Sequence, residues 1–346
     1  MMKEIYILAA KQISVQKPLM EDWLDNPERY DEPYVRSIDP DYKEYFPANT
    51  VRRLGKILKR ALLTSQQVMN ECGITNPDAI ITGTGLGCIE NTEIFLNALV
   101  REGEELLKPT HFMQSTHNTI SSLIAIDAHC KGYNCTYTHK GISFENALLD
   151  AFIQLKNNQI NTALVGAHDE MTPDYFTLLK RIGYLGHATN GFSGETALSM
   201  MLGTDQKQNA LCRLRGMEMC YRPDKEELKQ SLELLLKNAD CSLEDIDVVM
   251  AGYNGEQSND CVYTENCPIL FPDKKIIQYK HIFGESYTAS GLGVYASAAL
   301  LGKGRIPSHL FVDSQQSDLE GVKHILFYNQ FENKNHSFIL LSSCGN

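Results

Sequence analysis

The chain has 346 residues, of which 43% are hydrophobic and 22% charged, and its formal net charge is -11 at pH 7. This composition is typical of a soluble globular protein with one large domain or two ordinary ones. The acidic balance argues against a nucleic-acid partner, and no apolar stretch reaches the roughly 20 residues of a membrane span. We therefore expect a cytoplasmic protein without nucleic-acid or membrane binding.

The ten cysteines are scattered and form no C-x-x-C pair. This pattern favours reduced, buried thiols over a metal or redox centre. The glycines at 83, 85 and 87 follow a buried strand but match neither G-x-G-x-x-G nor a P-loop. Close packing of a strand on a helix is the simpler role for them, so we predict no cofactor and no metal.

The first part of the chain alternates strands and helices. The patterns predict a strand at residues 5–10, a long surface loop at 17–50, a helix within 51–72 and a strand ending at Gly83. One face of that helix is basic, with Arg52, Arg53, Lys56, Lys59 and Arg60. It could dock an acidic partner, although a solvated helix face is the simpler interpretation.

The central stretch, residues 132–170, predicts a strand at 134–137, a tight turn at Lys140-Gly141, a helix at 143–155 and a strand at 162–166. A sharp strand-to-helix turn presents its residue to the positive end of a helix, where many enzymes place a nucleophile. Lysine and glycine stand there instead, so the architecture and the chemistry of this turn disagree.

The second part repeats this plan. A strand at 211–219 and a helix at 226–238 lead to a buried run at 247–252, which matches the run at 78–83 residue class by residue class. The repeat predicts two α/β halves, residues 1–205 and 206–346, that form one compact unit. Their strands should be mainly parallel, and a mixed sheet is the alternative.

Several stretches, in this order along the chain, resemble the β-ketoacyl-[acyl-carrier-protein] synthases, condensing enzymes of the thiolase superfamily. They are the 83–87 glycine turn, residues 163–170, the turn at 191–195, Asp260 with Glu265, and Lys280 followed by Gly284. The resemblance covers most of the chain. It implies an α/β, thiolase-like, five-layered αβαβα fold and a dimer.

The family reaction, a decarboxylative Claisen condensation, uses a cysteine nucleophile and two histidines. The resemblance places the nucleophile position at Gly141, or at Lys140 after a one-residue slip. It places the first histidine position at Gly252, or at Tyr253 or Asn254 after a slip, and the second at Glu285. Only Lys280 keeps the family's residue type. The resemblance further implies a substrate pocket near Phe331, Asn335 and Phe112.

Two hypotheses follow from this resemblance. The first is a non-catalytic partner of the chain-length-factor kind, which binds an acyl carrier protein and pairs as a heterodimer with an intact ketosynthase, or forms a homodimer. The second is a divergent condensing or acyl-transfer enzyme with substitute residues Cys135, Ser143, His139 and His281. A thiolase-fold binding protein with no acyl role is a third possibility. Loss of all three catalytic residues favours the first hypothesis.

Overall fold

The computed structural model describes residues 3–104, 107–183, 191–205 and 209–345, and ten of its strands form one mixed sheet. The strands of the first half are β1 (Tyr6–Ile13), β2 (Ala79–Gly83), β3 (Tyr133–Tyr137), β4 (Thr162–Asp169) and β5 (Thr196–Gly203). Those of the second half are β6 (Cys212–Tyr221), β7 (Val248–Ala251), β8 (Lys275–Gln278), β9 (Arg305–Ile306), β10 (Leu319–Glu320), β11 (His324–Phe331) and β12 (Asn335–Ser342).

The helices lie mostly between these strands along the chain. They are α1 (Ala48–Val51), α2 (Lys56–Cys72), α3 (Ile89–Glu102), α4 (Pro109–Met113), α5 (Thr119–Asp127), α6 (Ser143–Lys156), α7 (Pro173–Arg181), α8 (Lys225–Asn238), α9 (Gln257–Leu270), α10 (Lys280–Phe283) and α11 (Ala289–Lys303). Among the described residues, no helix is long and apolar enough to cross a bilayer.

The strand order repeats between the two halves. In the first half, β1 pairs antiparallel with β5 and β5 with β4, while β4, β2 and β3 are parallel. In the second half, β6, β12, β11, β7 and β8 follow one another with the same directions. Only two residue pairs between β1 and β6 join the two groups. The division of the chain at residue 205 stays a prediction.

Three hydrophobic clusters separate five layers. The central cluster takes side chains from α6, α11 and strands of both halves, so the sheet folds around these two helices. A second cluster packs α2 and α5 on the outer face of the first half, and a third packs α8 and α9 on that of the second. The layers follow the order αβαβα, as predicted.

The composition of each helix fits its layer. The central helix α11 is buried on every side from Ala289 to Leu301, which explains its small and apolar residues. The outer helix α8 buries only one stripe of leucines and begins with a capping box between Asp224 and Glu227. A Cβ atom on Gly293 would overlap Phe327, so α11 lies closer to the sheet than a larger residue would allow.

The predicted surface loop at 17–50 is wrong in part. Trp23 is 1% exposed and packs its ring against Phe283 at 5.2 Å and against Tyr295 at 5.9 Å. The Gln16 amide donates to the carbonyl of Ile282 at 2.7 Å. This N-terminal segment therefore packs against the second half. Its sequence lacks periodicity because isolated side chains, rather than one face of a helix or strand, make the contacts.

Candidate functional site

A pocket of about 310 Å³ opens between the two halves. Its lining comes from the turn before α6, from α7, from the loop after β7, from the stretch that joins α10 to α11, and from the end of β11. One wall is apolar and includes Met171, Leu179, Tyr287 and Phe331, and the remaining lining is mostly polar. The pocket therefore suits a molecule with one apolar and one polar part.

Gly141 lies in a short 3₁₀ turn at Lys140–Ile142 and lines this pocket. Lys140 holds the turn with a positive φ of 52°. The Phe331 ring lies directly against Gly141, and any Cβ atom at this position would overlap that ring. The structure thus places the predicted nucleophile position in the pocket, with an aromatic ring in the space that a side chain would need.

Gly252 follows β7. As at Gly141, a neighbouring side chain occupies the space that a Cβ atom would need. A Cβ atom there would overlap the Tyr263 hydroxyl and lie 2.9 Å from Asn329 Oδ1. Tyr263 is 0% exposed, and its hydroxyl donates to Asn329 Oδ1 at 3.2 Å and accepts from the Gln330 backbone N–H at 3.0 Å. A fixed, buried hydroxyl therefore fills the space at the first predicted histidine position.

Glu285, the second predicted histidine position, lies in the pocket beside two donors. Lys280 Nζ and Asn254 Nδ2 both donate to Glu285 Oε2, each at 2.7 Å. The backbone of Glu285 is fixed as well: its N–H donates to Phe192 at 2.8 Å, and its carbonyl accepts from Gly194 at 2.9 Å. Lys280, which keeps the family's residue type, thus forms an ion pair with Glu285, which stands at the second predicted histidine position.

No sequence pattern predicted the buried carboxyl group that lies behind the pocket. Glu145, in the first turn of α6, is 0% exposed and accepts from Ser290 at 3.0 Å and from Asn329 Nδ2 at 2.7 Å. Burial raises the pKa of Glu145, while these hydrogen bonds and the charge of Lys280 oppose that shift. An acidic residue in the first turn of a helix is normally exposed and interacts favourably with the positive end of the helix dipole. The sequence pattern around Glu145 therefore did not indicate that this side chain is buried.

The four candidate substitutes lie outside the pocket lining that the structure describes. Ser143 is buried, and its hydroxyl donates to Lys140 at 2.7 Å and accepts from the His139 backbone N–H at 2.8 Å. The His139 ring contacts Asn146 instead. Ser143 therefore holds the turn together, with no base beside its hydroxyl.

The other two substitutes have structural surroundings. Cys135 lies on β3 and packs against the central cluster. The Nε2 atom of His281 lies 3.1 Å from the His309 carbonyl, and burial lowers the pKa of His281 to about 4. Both side chains therefore make these contacts away from the described pocket lining.

Of the three predicted substrate-pocket residues, only Phe331 lines the pocket. Phe112 lies on α4, is 57% exposed, and contacts Phe95 with a ring separation of 5.3 Å. Asn335 begins β12, opposite Phe331 in the hairpin, and is not part of the described lining.

Glu195, in the 191–195 turn, connects several separate segments of the first half. Its carboxylate accepts from Arg60 at 2.8 Å, from the Ser37 N–H at 2.8 Å and from the Met171 N–H at 3.1 Å. Arg60 also pairs with Asp39 at 2.6 Å and is only 1% exposed. Arg60 is therefore removed from the proposed basic docking face, because its charge is buried and neutralised.

Two further carboxyl groups lie where β4 ends. Asp169 accepts from the N–H groups of Gly85 and Leu86, at 2.9 and 2.8 Å, and so holds the glycine-rich turn. Burial raises the pKa of Asp169 to about 6 and that of Glu170 to about 8. Asp169 is therefore the structural partner of this glycine-rich turn.

Comparisons with known proteins identify relatives of this chain by sequence family and by structure. The family described as "Beta-ketoacyl synthase, N-terminal domain" matches residues 22–245. No curated protein matches the chain by sequence.

Solved structures resemble the whole chain at low identity. The ishigamide ketosynthase/chain length factor has 17% identity and a TM-score of 0.82, with 100% of each chain covered. A chain from the complex of ketosynthase ApeO with its chain length factor ApeC, from Xenorhabdus doucetiae, has 14% identity and a TM-score of 0.84, with 99% of this chain and 98% of that one covered. A beta-ketoacyl synthase from Burkholderia phymatum has 12% identity and a TM-score of 0.83, with 99% and 100% covered.

These structures confirm the predicted thiolase-like fold, and the family match covers well over half of the sequence. This chain belongs to the beta-ketoacyl synthase family.

Proposed function

We propose that this chain is a non-catalytic member of its family, a chain-length-factor-like partner of an intact ketosynthase in fatty acid or polyketide synthesis. The observation that carries the proposal is the occupied space at Gly141, where the Phe331 ring stands in the place of a nucleophilic side chain. Without that nucleophile no acyl-enzyme forms by the family's route. The filled space at Gly252 and the ion pair at Glu285 support the same conclusion.

The surface for such a partner lies along β3, an open edge of the large sheet. The opposite edge strand, β8, is covered, because Val312 donates to the Ile276 carbonyl at 3.0 Å. An open edge strand has backbone groups ready to pair with another chain. We define the β3 face as this strand with its exposed Tyr133, the neighbouring helix α5 with its exposed Ile126, and the exposed apolar side chains Val100 of α3 and Phe112 and Met113 of α4.

Exposed apolar patches of this kind mark sites of protein association. The exposure is large, since Val100 is 85% and Ile126 is 72% accessible. We therefore infer that a ketosynthase subunit binds the β3 face, and that an acyl carrier protein is delivered to the resulting pair. Phe112 then belongs to the subunit interface rather than to the pocket of this chain.

The test is a condensation assay with acyl and malonyl carrier proteins, run with this chain alone, with a ketosynthase from the same genome, and with both. We expect no product from this chain alone, and a changed product length or yield when the two are combined. Robust turnover by homogeneous chain alone contradicts the proposal and supports the divergent enzyme.

The pairing has its own matched controls. Ile126→Asp, on the β3 face, should abolish co-elution with the ketosynthase in size-exclusion chromatography. Ile269→Asp, on α9, changes an isoleucine that is 53% exposed on another surface and should leave co-elution intact. Equal behaviour of the two variants would remove the β3 face from the proposal.

A further inference from the structure

We propose that Glu285 is a built-in anion, which fills an anion-binding position formed by Lys280 and Asn254 and so makes the pocket select an uncharged acyl chain over a carboxylated one. This inference rests on the proposed function, because it names the class of ligand that the pocket of the partner subunit takes.

The two donors converge on one point. Lys280 Nζ and Asn254 Nδ2 both lie 2.7 Å from the same oxygen, Glu285 Oε2. An ammonium and an amide N–H that point at one oxygen are the donors a carboxylate ligand would require. The protein supplies that carboxylate itself.

The donors are held independently of Glu285. Asn254 Oδ1 accepts from the Glu256 N–H at 3.0 Å, and the Asn254 N–H donates to Asp260 at 2.9 Å. Lys280 lies in α10 and in the pocket lining, and its side chain is 5% exposed. Shortening the side chain at position 285 therefore leaves both donors in place, with an empty position between them.

The exposed fractions show which group a ligand meets first. The Glu285 side chain is 26% exposed and the Lys280 side chain 5%, so the carboxylate is the more accessible member of the ion pair. Lys280 is the only lysine or arginine in the described lining, which also contains Glu256 and Glu332. Lys334, outside that lining, pairs with Glu332 at 2.8 Å.

A ligand carboxylate in this pocket would approach a fixed negative charge whose neutralising partner is already engaged. Like charges within a few ångströms repel, the more so where water is excluded. The apolar wall of Met171, Leu179 and Tyr287 still accepts an alkyl chain. The ligand class is therefore an uncharged acyl chain, and a malonyl group is excluded.

The experiment compares two hydrolysis-resistant pantetheine analogues, acetyl and malonyl, which differ by one carboxylate. We expect wild-type protein to bind the acetyl analogue at least about tenfold more tightly by calorimetry, and Glu285→Ala to reverse that order. Glu285→Gln keeps the shape of the side chain and should bring the two affinities close together. Glu265→Ala removes an exposed carboxylate of α9 that lies outside the described lining and should leave the wild-type order unchanged.

A second readout needs no pantetheine. Sodium acetate should raise the Tm of Glu285→Ala by several degrees relative to equal ionic strength of chloride, and should leave wild type unchanged, because only the variant has an empty anion position. The inference is overturned if wild type binds both analogues with equal affinity or binds neither of them. It is also overturned if Glu285→Ala keeps the wild-type order of affinities and acetate does not raise its Tm. Ketosynthase pairing is measured separately, so an unselective pocket in a chain that still pairs overturns this inference alone.

Discussion

Two predicted catalytic positions, one in each half, are covered by different means. At Gly141, in the first half, the partly buried ring of Phe331 from β11 covers the residue at the margin of the cavity. In the second half, the fully buried hydroxyl of Tyr263 covers Gly252, inside a network that continues through Asn329 to Glu145. A ring at a cavity edge can rotate away from an added atom, whereas a hydrogen-bonded buried hydroxyl cannot move without breaking its bonds. An added side-chain atom should therefore be accommodated more easily at Gly141, the first closure, than at Gly252, the second closure.

The largest effect is expected at the second closure. Gly252→Ala should lower the free energy of unfolding by about 2–3 kcal/mol, because the new methyl group overlaps the Tyr263 hydroxyl and crowds Asn329. Urea denaturation of the variant against wild type measures it. In a Tyr263→Phe background the same change should cost less, since the overlapping oxygen is gone. An equal cost in both backgrounds would show that the hydroxyl is not the obstacle.

The buried carboxyl groups of the first half predict a pH dependence of stability. Glu170 has a pKa of about 8 in the folded chain, raised by burial from a usual value of 4.5. Between these two values the unfolded chain loses this proton and the folded chain keeps it, so stability falls as pH rises from 4.5 to 8. Each pH unit in this window contributes at most about 1.4 kcal/mol.

Glu170→Gln should flatten that slope, because glutamine carries no titrating proton. Glu265→Gln, on the exposed side of α9, is the matched control and should leave the slope unchanged. Denaturation midpoints at pH 5, 6, 7 and 8 give the comparison. Asp169, whose pKa is raised to about 6, retains a smaller dependence at the acidic end in both variants. An identical slope in wild type and Glu170→Gln would assign the dependence to other groups.

The sequence was most informative where one physical signal dominates. Helices α2, α6 and α8 begin and end within a few residues of their predicted limits, apart from the start of α2, because each buries one stripe of apolar residues at helical spacing. The helix α9 was missed, since its polar residues and Pro268 conceal the stripe formed by Val262, Asn266 and Leu270.

The candidate site was predictable in position but not in its interactions. The ordered motifs singled out Gly141, Lys280 and Glu285, and the structure brings all three into one pocket. The sequence could not show that Phe331 lies against Gly141, which is 190 positions away, or that Glu145 reaches Asn329. Such contacts depend on how the two halves pack, and no local pattern encodes them.

The first closure provides the smaller stability effect. Gly141→Ala should cost about 1 kcal/mol, below the cost at Gly252, because Phe331 borders open cavity and can turn aside. In a Phe331→Leu background the cost should fall further. Urea denaturation of the four proteins closes the cycle. A cost at Gly141 equal to or above that at Gly252 would reverse the proposed difference between the two closures.

The smallest expected effect is on activity. Gly141→Cys places a cysteine at the predicted nucleophile position, yet we expect condensation to stay at background, because the ring of Phe331 overlaps the new side chain and positions 252 and 285 carry no histidine. Gly141→Cys combined with Phe331→Ala clears the ring, so its thiol should react with iodoacetamide at least about tenfold faster than in the single variant. Mass spectrometry locates the adduct, with wild type as the control for the ten native cysteines. Alkylation without condensation in the double variant shows that the ring controls access while the missing histidines control chemistry, and turnover by Gly141→Cys alone would show that the loss of function lies in the first half only.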